Sequence, residues 1–170
     1  VLGSVQDVRA VADILADKDI FFIVDGAQTA GHIAVDVEKI GCDAFVFTGH
    51  KALLGVSGTG GFYLKDAERI APTRFGGTGT QSSKLYQPED MPEKFECGTQ
   101  NVTGLAALAE GISFVEHIGI ADIHAQGMRQ TKYLVSRFRE AENIRIHHET
   151  PGVPVISFNI EGLSCEDVGF

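Results

Sequence analysis

Phe21-Phe22-Ile23-Val24-Asp25-Gly26-Ala27-Gln28 is an apolar run too short for a helix and rich in strand formers, and it ends abruptly on a carboxylate and a glycine. A second run, Ala44-Phe45-Val46-Phe47, is introduced by Gly41-Cys42-Asp43 and ends in Thr48-Gly49-His50-Lys51. Each reads as a buried strand closed by polar residues. Between them, residues 35–40 have room for only a helical turn or two, so the strands run roughly parallel and deliver Asp25 and Lys51 to the same sheet edge. In open α/β sheets, ligands collect at the carboxyl ends of the strands.

An acid on one side and an amine on the other suit a flat, charged ring. Pyridoxal phosphate asks for that pair, a lysine for its aldehyde and a carboxylate for its ring nitrogen. Lys51 can form an aldimine with such a ring, yield it to a substrate amine, and then shuttle the proton at the substrate's α-carbon as general base and acid. Asp25 pairs with the protonated pyridine nitrogen. Gln28 can donate to the ring's phenolic oxygen, and Ala27 is small enough to lie beneath the ring face. Thr48 and His50 offer side-chain donors for phosphate, while Gly49 lets the backbone come close. Singly, each has a plainer explanation, since a carboxylate ending a strand is more often a turn residue and a lone lysine is usually solvated. The ordered set outweighs those explanations.

Working outward, Val5, Val8, Val11, Ala12 and Leu15 have helical spacing after Gly3-Ser4 and predict a helix over 5–16. Residues 59–64 read as a strand and 66–70 as a short helix. The stretch from Phe75 to Pro92 is rich in glycine and polar residues, a long loop of the sort that binds something or packs on a partner. Asn101 caps a helix over 102–118, with Leu105, Leu108, Ala109, Ile112 and Val115 on one face. A second helix over 121–142 follows Gly119. Strands over 144–148 and 153–160 flank Thr150-Pro151-Gly152, and Ser164 to Phe170 opens a further helix. The class is α/β.

Three motifs now stand in order: Asp-x-Ala-Gln at 25–28, Thr-x-His-Lys at 48–51 with the glycine-rich strand entry from Gly55 to Leu64, and Phe95-Glu96-Cys97-Gly98-Thr99-Gln100-Asn101. Together they resemble the class V aminotransferases, and are most similar to the cysteine desulfurase and selenocysteine lyase branch. The resemblance covers almost the entire chain. It implies part of the PLP-dependent transferase fold (fold type I), a mostly parallel sheet flanked by helices. On that basis, residues 1–115 form a partial large cofactor domain and residues 116–170 a partial α+β small domain. It implies Lys51 as the Schiff-base lysine, Asp25 as the pyridine-nitrogen partner, Gln28 as the ring-oxygen contact, and Thr48 with His50 as phosphate ligands. Gly98 and Thr99 match a pair that reaches across a homodimer interface to the other subunit's cofactor phosphate. Cys97 stands where a small residue, often alanine, is usual, and Gln100 where proline is common; neither change removes the glycine or the hydroxyl.

The activity implied is cleavage of a C–S or C–Se bond in cysteine or selenocysteine, with a sulfur-acceptor protein as a partner. A class V transaminase, another PLP lyase, or a non-catalytic interaction fragment of the fold are the alternatives that share these residues. The family's ring-stacking histidine and a further phosphate-binding turn fall upstream of Val1. Its arginine for the substrate carboxylate and its loop-borne nucleophilic cysteine fall downstream of Phe170. The expectation is an internal fragment that cannot complete sulfur transfer alone.

Composition narrows the remaining classes. A chain of 170 residues, 44% hydrophobic and 22% charged, supplies one domain or one domain plus part of another. The net charge of −9 disfavours nucleic acid and anionic membrane surfaces, which are themselves negative. No apolar stretch is long enough to span a bilayer and no signal-peptide pattern is present, so the expected location is cytoplasmic. The three cysteines, Cys42, Cys97 and Cys165, form neither a disulfide set nor a close metal-ligand pair, and suit a reducing compartment. Cys42 reads as an inert core thiol. At a helix start Cys165 would gain thiolate character, which Glu166 and Asp167 oppose. No metal is expected, because His147-His148 and the pair His117 and His124 lack supporting carboxylate or cysteine spacing. The run from Gly55 to Gly61 lacks the Gly-Lys-Ser/Thr ending of a P-loop and precedes a strand. Unpaired sheet edges in such a chain predict self-association.

Overall fold

The two apolar runs pair in parallel, residues 26–43 between them being long enough for a crossover. In a computed structural model, which describes residues 2–81 and 83–169, strand β1 (Ile23–Asp25) lies beside β2 (Ala44–Thr48) with Ile23 opposite Ala44 and Asp25 opposite Val46. Val1, Ser82 in the long loop, and Phe170 at the end of the expected last helix lie outside the described residues. Strand β3 (Gly60–Leu64) flanks β2 antiparallel, with Thr48 opposite Gly60, so the sheet order is β1-β2-β3. This portion of the sheet is therefore mixed, one parallel pairing and one antiparallel.

Burial fixes which way each strand faces. Val24 is the inward residue of β1, and it joins Cys42 and Phe45 in a buried cluster against which Val8, Phe22, Val35 and Ile40 pack. Asp25, next along the strand, is consequently exposed at its end. The chain crosses from β1 to β2 through the single turn α2 (Val37–Ile40), capped by the Asp36 carboxylate, which accepts the Lys39 N–H at 3.0 Å. Helix α1 (Val8–Leu15) starts later than the 5–16 expected from periodicity, because Asp7 supplies its cap by accepting the Ala10 N–H at 2.9 Å.

Residues 70–101 contain no helix or strand among the described residues, so the expected loop is longer than 75–92. It is cross-linked from within. The Gln87 amide donates to Glu93 O at 2.7 Å and Glu96 O at 3.2 Å, and accepts from Gly76 N at 3.0 Å. Lys94 is buried and donates to Ala67 O at 3.0 Å, anchoring the loop beside the short 3₁₀ turn Ala67–Arg69.

Helix α3 (Val102–Ile118) begins at Asn101, whose side chain accepts the Gly104 N–H at 3.0 Å. It continues past residue 115 and meets α4 (Ile120–Arg139) at Gly119, where a φ of +90° allows a bend of 82°. Helix α4 ends three residues short of the expected 142, because the N–H groups of Glu140 and Ala141 turn to the carbonyls of Arg137 and Phe138. Strands β4 (Ile144–Ile146) and β5 (Phe158–Ile160) form a separate antiparallel pair, and the Phe138 and Phe158 rings pack at 4.7 Å. The expected strand over 153–160 shrinks to its last three residues. Pro154 lacks the N–H a ladder needs, and the backbone there binds elsewhere, Val153 N to Gly3 O at 3.3 Å and Val155 N to Val153 O at 2.7 Å. A short helix α5 (Cys165–Gly169) follows. Among the described residues no single helix is long and apolar enough to cross a membrane.

Candidate active site

β1 and β2 end side by side, and the chain leaves each through a closed turn. After β1, Gly26 N donates to Val46 O at 2.8 Å, and the Gly26 carbonyl then accepts the N–H groups of Thr29 and Ala30, both at 2.9 Å. The Ala27 N–H binds Asp25 Oδ1 at 2.9 Å, which orients the carboxylate and leaves Oδ2 without a partner among the described residues. A Cβ at Gly26 would fall 1.9 Å from the Phe45 ring, so only glycine lets this turn sit on the core. Asp25 and Gln28 are exposed, and both line a cleft of about 400 Å³ walled by Phe22, Val24, Ile33 and Val35.

The exit from β2 is tighter. Thr48 Oγ1 and His50 Nδ1 are hydrogen-bonded at 2.7 Å, tying a hydroxyl to an imidazole. Gly49 N binds Thr59 O and Gly55 N binds Gly49 O, each at 2.8 Å, and Leu54 N binds Lys51 O at 3.0 Å. Leu54 ends the turn with a φ of 60°, a left-handed conformation that costs a branched side chain on the order of 1 kcal/mol. Lys51 is half-buried on this turn, and its Nζ makes no hydrogen bond or ion pair among the described residues.

The two turns touch through their backbones. Gly31, with a φ of +89°, is so close to Ala52 that a Cβ would lie 2.7 Å from the Ala52 carbonyl carbon and oxygen. α3 presses on the same segment, since a Cβ at Gly111 would lie 2.3 Å from Leu53 O. Asp25 and Lys51 thus stand on adjoining turns at one sheet edge. Thr48, His50 and Lys51 are not among the residues lining the cleft beside Asp25. Gly98 and Thr99 lie on the long loop, where Gly98 N binds Gly76 O at 3.0 Å. No hydrogen bond among the described residues joins them to either turn.

Two further groups bear on the chemistry. Cys42 is 1% exposed, and burial pushes its thiol pKa up, so it is a packing residue. Among the described residues no group of three or more His, Cys, Asp or Glu is placed to hold a metal.

The family model for class-V aminotransferases matches residues 1–170. The chain belongs to the class-V aminotransferase family. This class-V chain is 38% identical over 173 residues to a probable cysteine desulfurase of Methanothermobacter thermautotrophicus, covering 98% of itself and 43% of that protein. It is 35% identical over 172 residues to a probable cysteine desulfurase of Halalkalibacterium halodurans, covering 99% of itself and 42% of the relative. Among solved structures, the apo cysteine desulfurase of Thermococcus onnurineus NA1 matches with a TM-score of 0.82 and 34% identity, over 98% of this chain and 43% of that one. The cysteine desulfurase CsdA of Escherichia coli matches with a TM-score of 0.84 at 24% identity, a likeness that shows the fold. The class-V chain spans less than half the length of these relatives.

Sequence reasoning missed the supports of the Lys51 turn. In the class-V chain these are Gly31, Gly111 and buried Thr59, whose Oγ1 donates to Val56 O at 2.6 Å. A readable signal existed, since Gly104, Leu108, Gly111 and Val115 follow helical spacing and mark a face with small residues where another backbone comes close. The packing makes a prediction. A Cβ at Gly49 would lie 2.4 Å from Thr59 Oγ1 and 3.0 Å from Leu108 Cδ1, so Gly49→Val overpacks the site and costs about 1–3 kcal/mol. Chemical denaturation measures it, and an unchanged midpoint contradicts the packing described.

Proposed function

We propose that the whole protein containing this chain is a pyridoxal-phosphate-dependent cysteine desulfurase, and that this chain carries its cofactor-binding edge. The observation that carries the reading is the backbone contact of Gly31 with Ala52, which keeps the Asp25 turn and the Lys51 turn adjacent at the carboxyl ends of two parallel strands. The donor set fits the cofactor: a carboxylate with one unpaired oxygen, an exposed carboxamide, a paired hydroxyl and imidazole, and an amine without a partner.

Bound there, pyridoxal phosphate supplies an electron sink for negative charge at the substrate's α-carbon. Lys51 holds the cofactor aldehyde through its amine and moves the proton at that carbon. Asp25 keeps the ring nitrogen protonated by its charge. Gln28 donates to the ring oxygen, and Ala27 leaves space beneath the ring. Thr48 and His50 bind phosphate, joined by Gly98 and Thr99 from a second copy in a homodimer. Residues 1–115 belong to the cofactor domain and residues 116–170 to a smaller one. The substrate is cysteine, with selenocysteine as the related alternative, the sulfur goes to an acceptor protein, and the enzyme works in the cytoplasm. The 170-residue chain by itself releases no sulfide from L-cysteine, and measurable release would contradict that division of labour.

The experiment is direct. The whole protein is mixed with pyridoxal phosphate, its visible absorption recorded, and the complex reduced with borohydride and digested. A pyridoxyl group on Lys51 is expected. A label on another lysine, or none, overturns the assignment.

A further inference from the structure

The turn after β1 also carries His32, held in place where His32 N and Ile33 N both donate to Thr29 O, at 2.9 and 3.1 Å. Its Nδ1 is buried and has no hydrogen-bond partner, and the same is true of Nδ1 of His124 on α4. These are the unsatisfied buried side-chain atoms among the described residues. Buried polar groups are normally paired, so two of them on elements far apart in sequence call for an explanation. His32 also forms part of the wall of a cleft of about 610 Å³ between the end of α3, the start of α4 and Pro154. Burial holds the His32 imidazole below its ordinary pKa, and the nearby charge of His124 lowers it further.

We propose that His32 is the proton-sensitive element of a joint between the Asp25-bearing turn and α4: the neutral imidazole lets the turn rest beside α4, and its protonation, at a ring whose buried Nδ1 has no partner, drives the turn away. Asp122 and Arg129 of α4 line the same cleft with opposite signs, Ile118 of α3 and Pro154 bring no charge, and the Asp25 carboxylate is turned to the Ala27 N–H. The electrostatic partner of His32 is His124. Because Gly31 touches Ala52, displacement of the turn reaches the residue beside Lys51. The joint itself requires no role for Lys51, so its test stands apart from the cofactor reading.

The sign follows from the lowered pKa. The contribution of His32 to local stability is complete above the ordinary imidazole value of 6.5 and is lost as pH falls through the depressed folded-state value. Hydrogen exchange of the whole protein between pH 7.5 and 5.5, corrected for intrinsic rates, reads this out. Opening of a peptide spanning residues 26–33 is expected to rise at least about threefold on acidification, with residues 105–115 of α3 unchanged. In His124→Gln the rise should fall below about half of that, and the His32 pKa, followed by NMR, should move up. A pH-independent turn, or the same rise in His124→Gln, overturns the joint. If that variant does not fold, NMR titration of the unaltered protein decides: His32 titrating below the ordinary value in step with opening of the turn supports it, and His32 titrating at the ordinary value sinks it.

Discussion

Lys51→Ala in the whole protein lowers turnover of cysteine by at least about 10²–10⁴-fold, the range lost when a general acid–base is removed, and abolishes the borohydride-trapped label. The same substitution leaves stability nearly untouched, within about 0.5 kcal/mol, because the side chain is half-buried and its amine has no partner to lose. That split between activity and stability separates a chemical lysine from a solvated one. Lys51→Arg sharpens it by keeping a positive charge at the site. The arginine variant is expected to be as inactive as the alanine variant, since guanidinium neither condenses with an aldehyde nor gives up a proton near neutrality. Activity within threefold of the parent in either variant would return Lys51 to the class of ordinary turn residues.

Asp25→Asn carries the second large effect. The asparagine carbonyl can still accept the Ala27 N–H now bound to Oδ1, so the turn after β1 persists while the negative charge is lost. Turnover should fall by about 10²–10³-fold, the scale seen when one preorganised electrostatic contact is removed. Asp25→Ala should do the same to turnover and in addition destabilise the protein by about 1 kcal/mol, through loss of the turn-closing hydrogen bond. A carboxylate that merely closes the turn predicts the reverse pattern, with Asp25→Asn near full activity. The two variants measured side by side for turnover and unfolding distinguish the cases.

Much of this edge was legible in the sequence because its determinants are local. Phe22 to Asp25 and Ala44 to Thr48 are short apolar runs closed by polar residues, and residues 26–43 between them leave room for a parallel crossover. Asn101 as the cap of α3 is likewise a local device, written by one side chain and the N–H it accepts. Ends of elements were harder where a neighbouring group competed. Asp7 took the cap of α1 from the Gly3-Ser4 signal, and Pro154 withheld a donor that a strand from residue 153 needs.

What the residue pattern could not supply was contact between distant segments. Gly31 against Ala52 and the buried imidazoles of His32 and His124 are products of packing, with no periodicity to announce them. The walls of a site at that edge also do not follow from strand order. A shared edge fixes where two strands end, and the walls of a cavity are then set by whatever packs above that edge.

The central claim is that one bound ring is held by both turns. A crystal structure of the whole protein loaded with pyridoxal phosphate tests it most directly. The prediction is continuous density from Lys51 Nζ to the cofactor, with an Asp25 oxygen within roughly 2.7–2.9 Å of the ring nitrogen. Cofactor density joined to a different lysine, or a ring nitrogen facing away from Asp25, would contradict it.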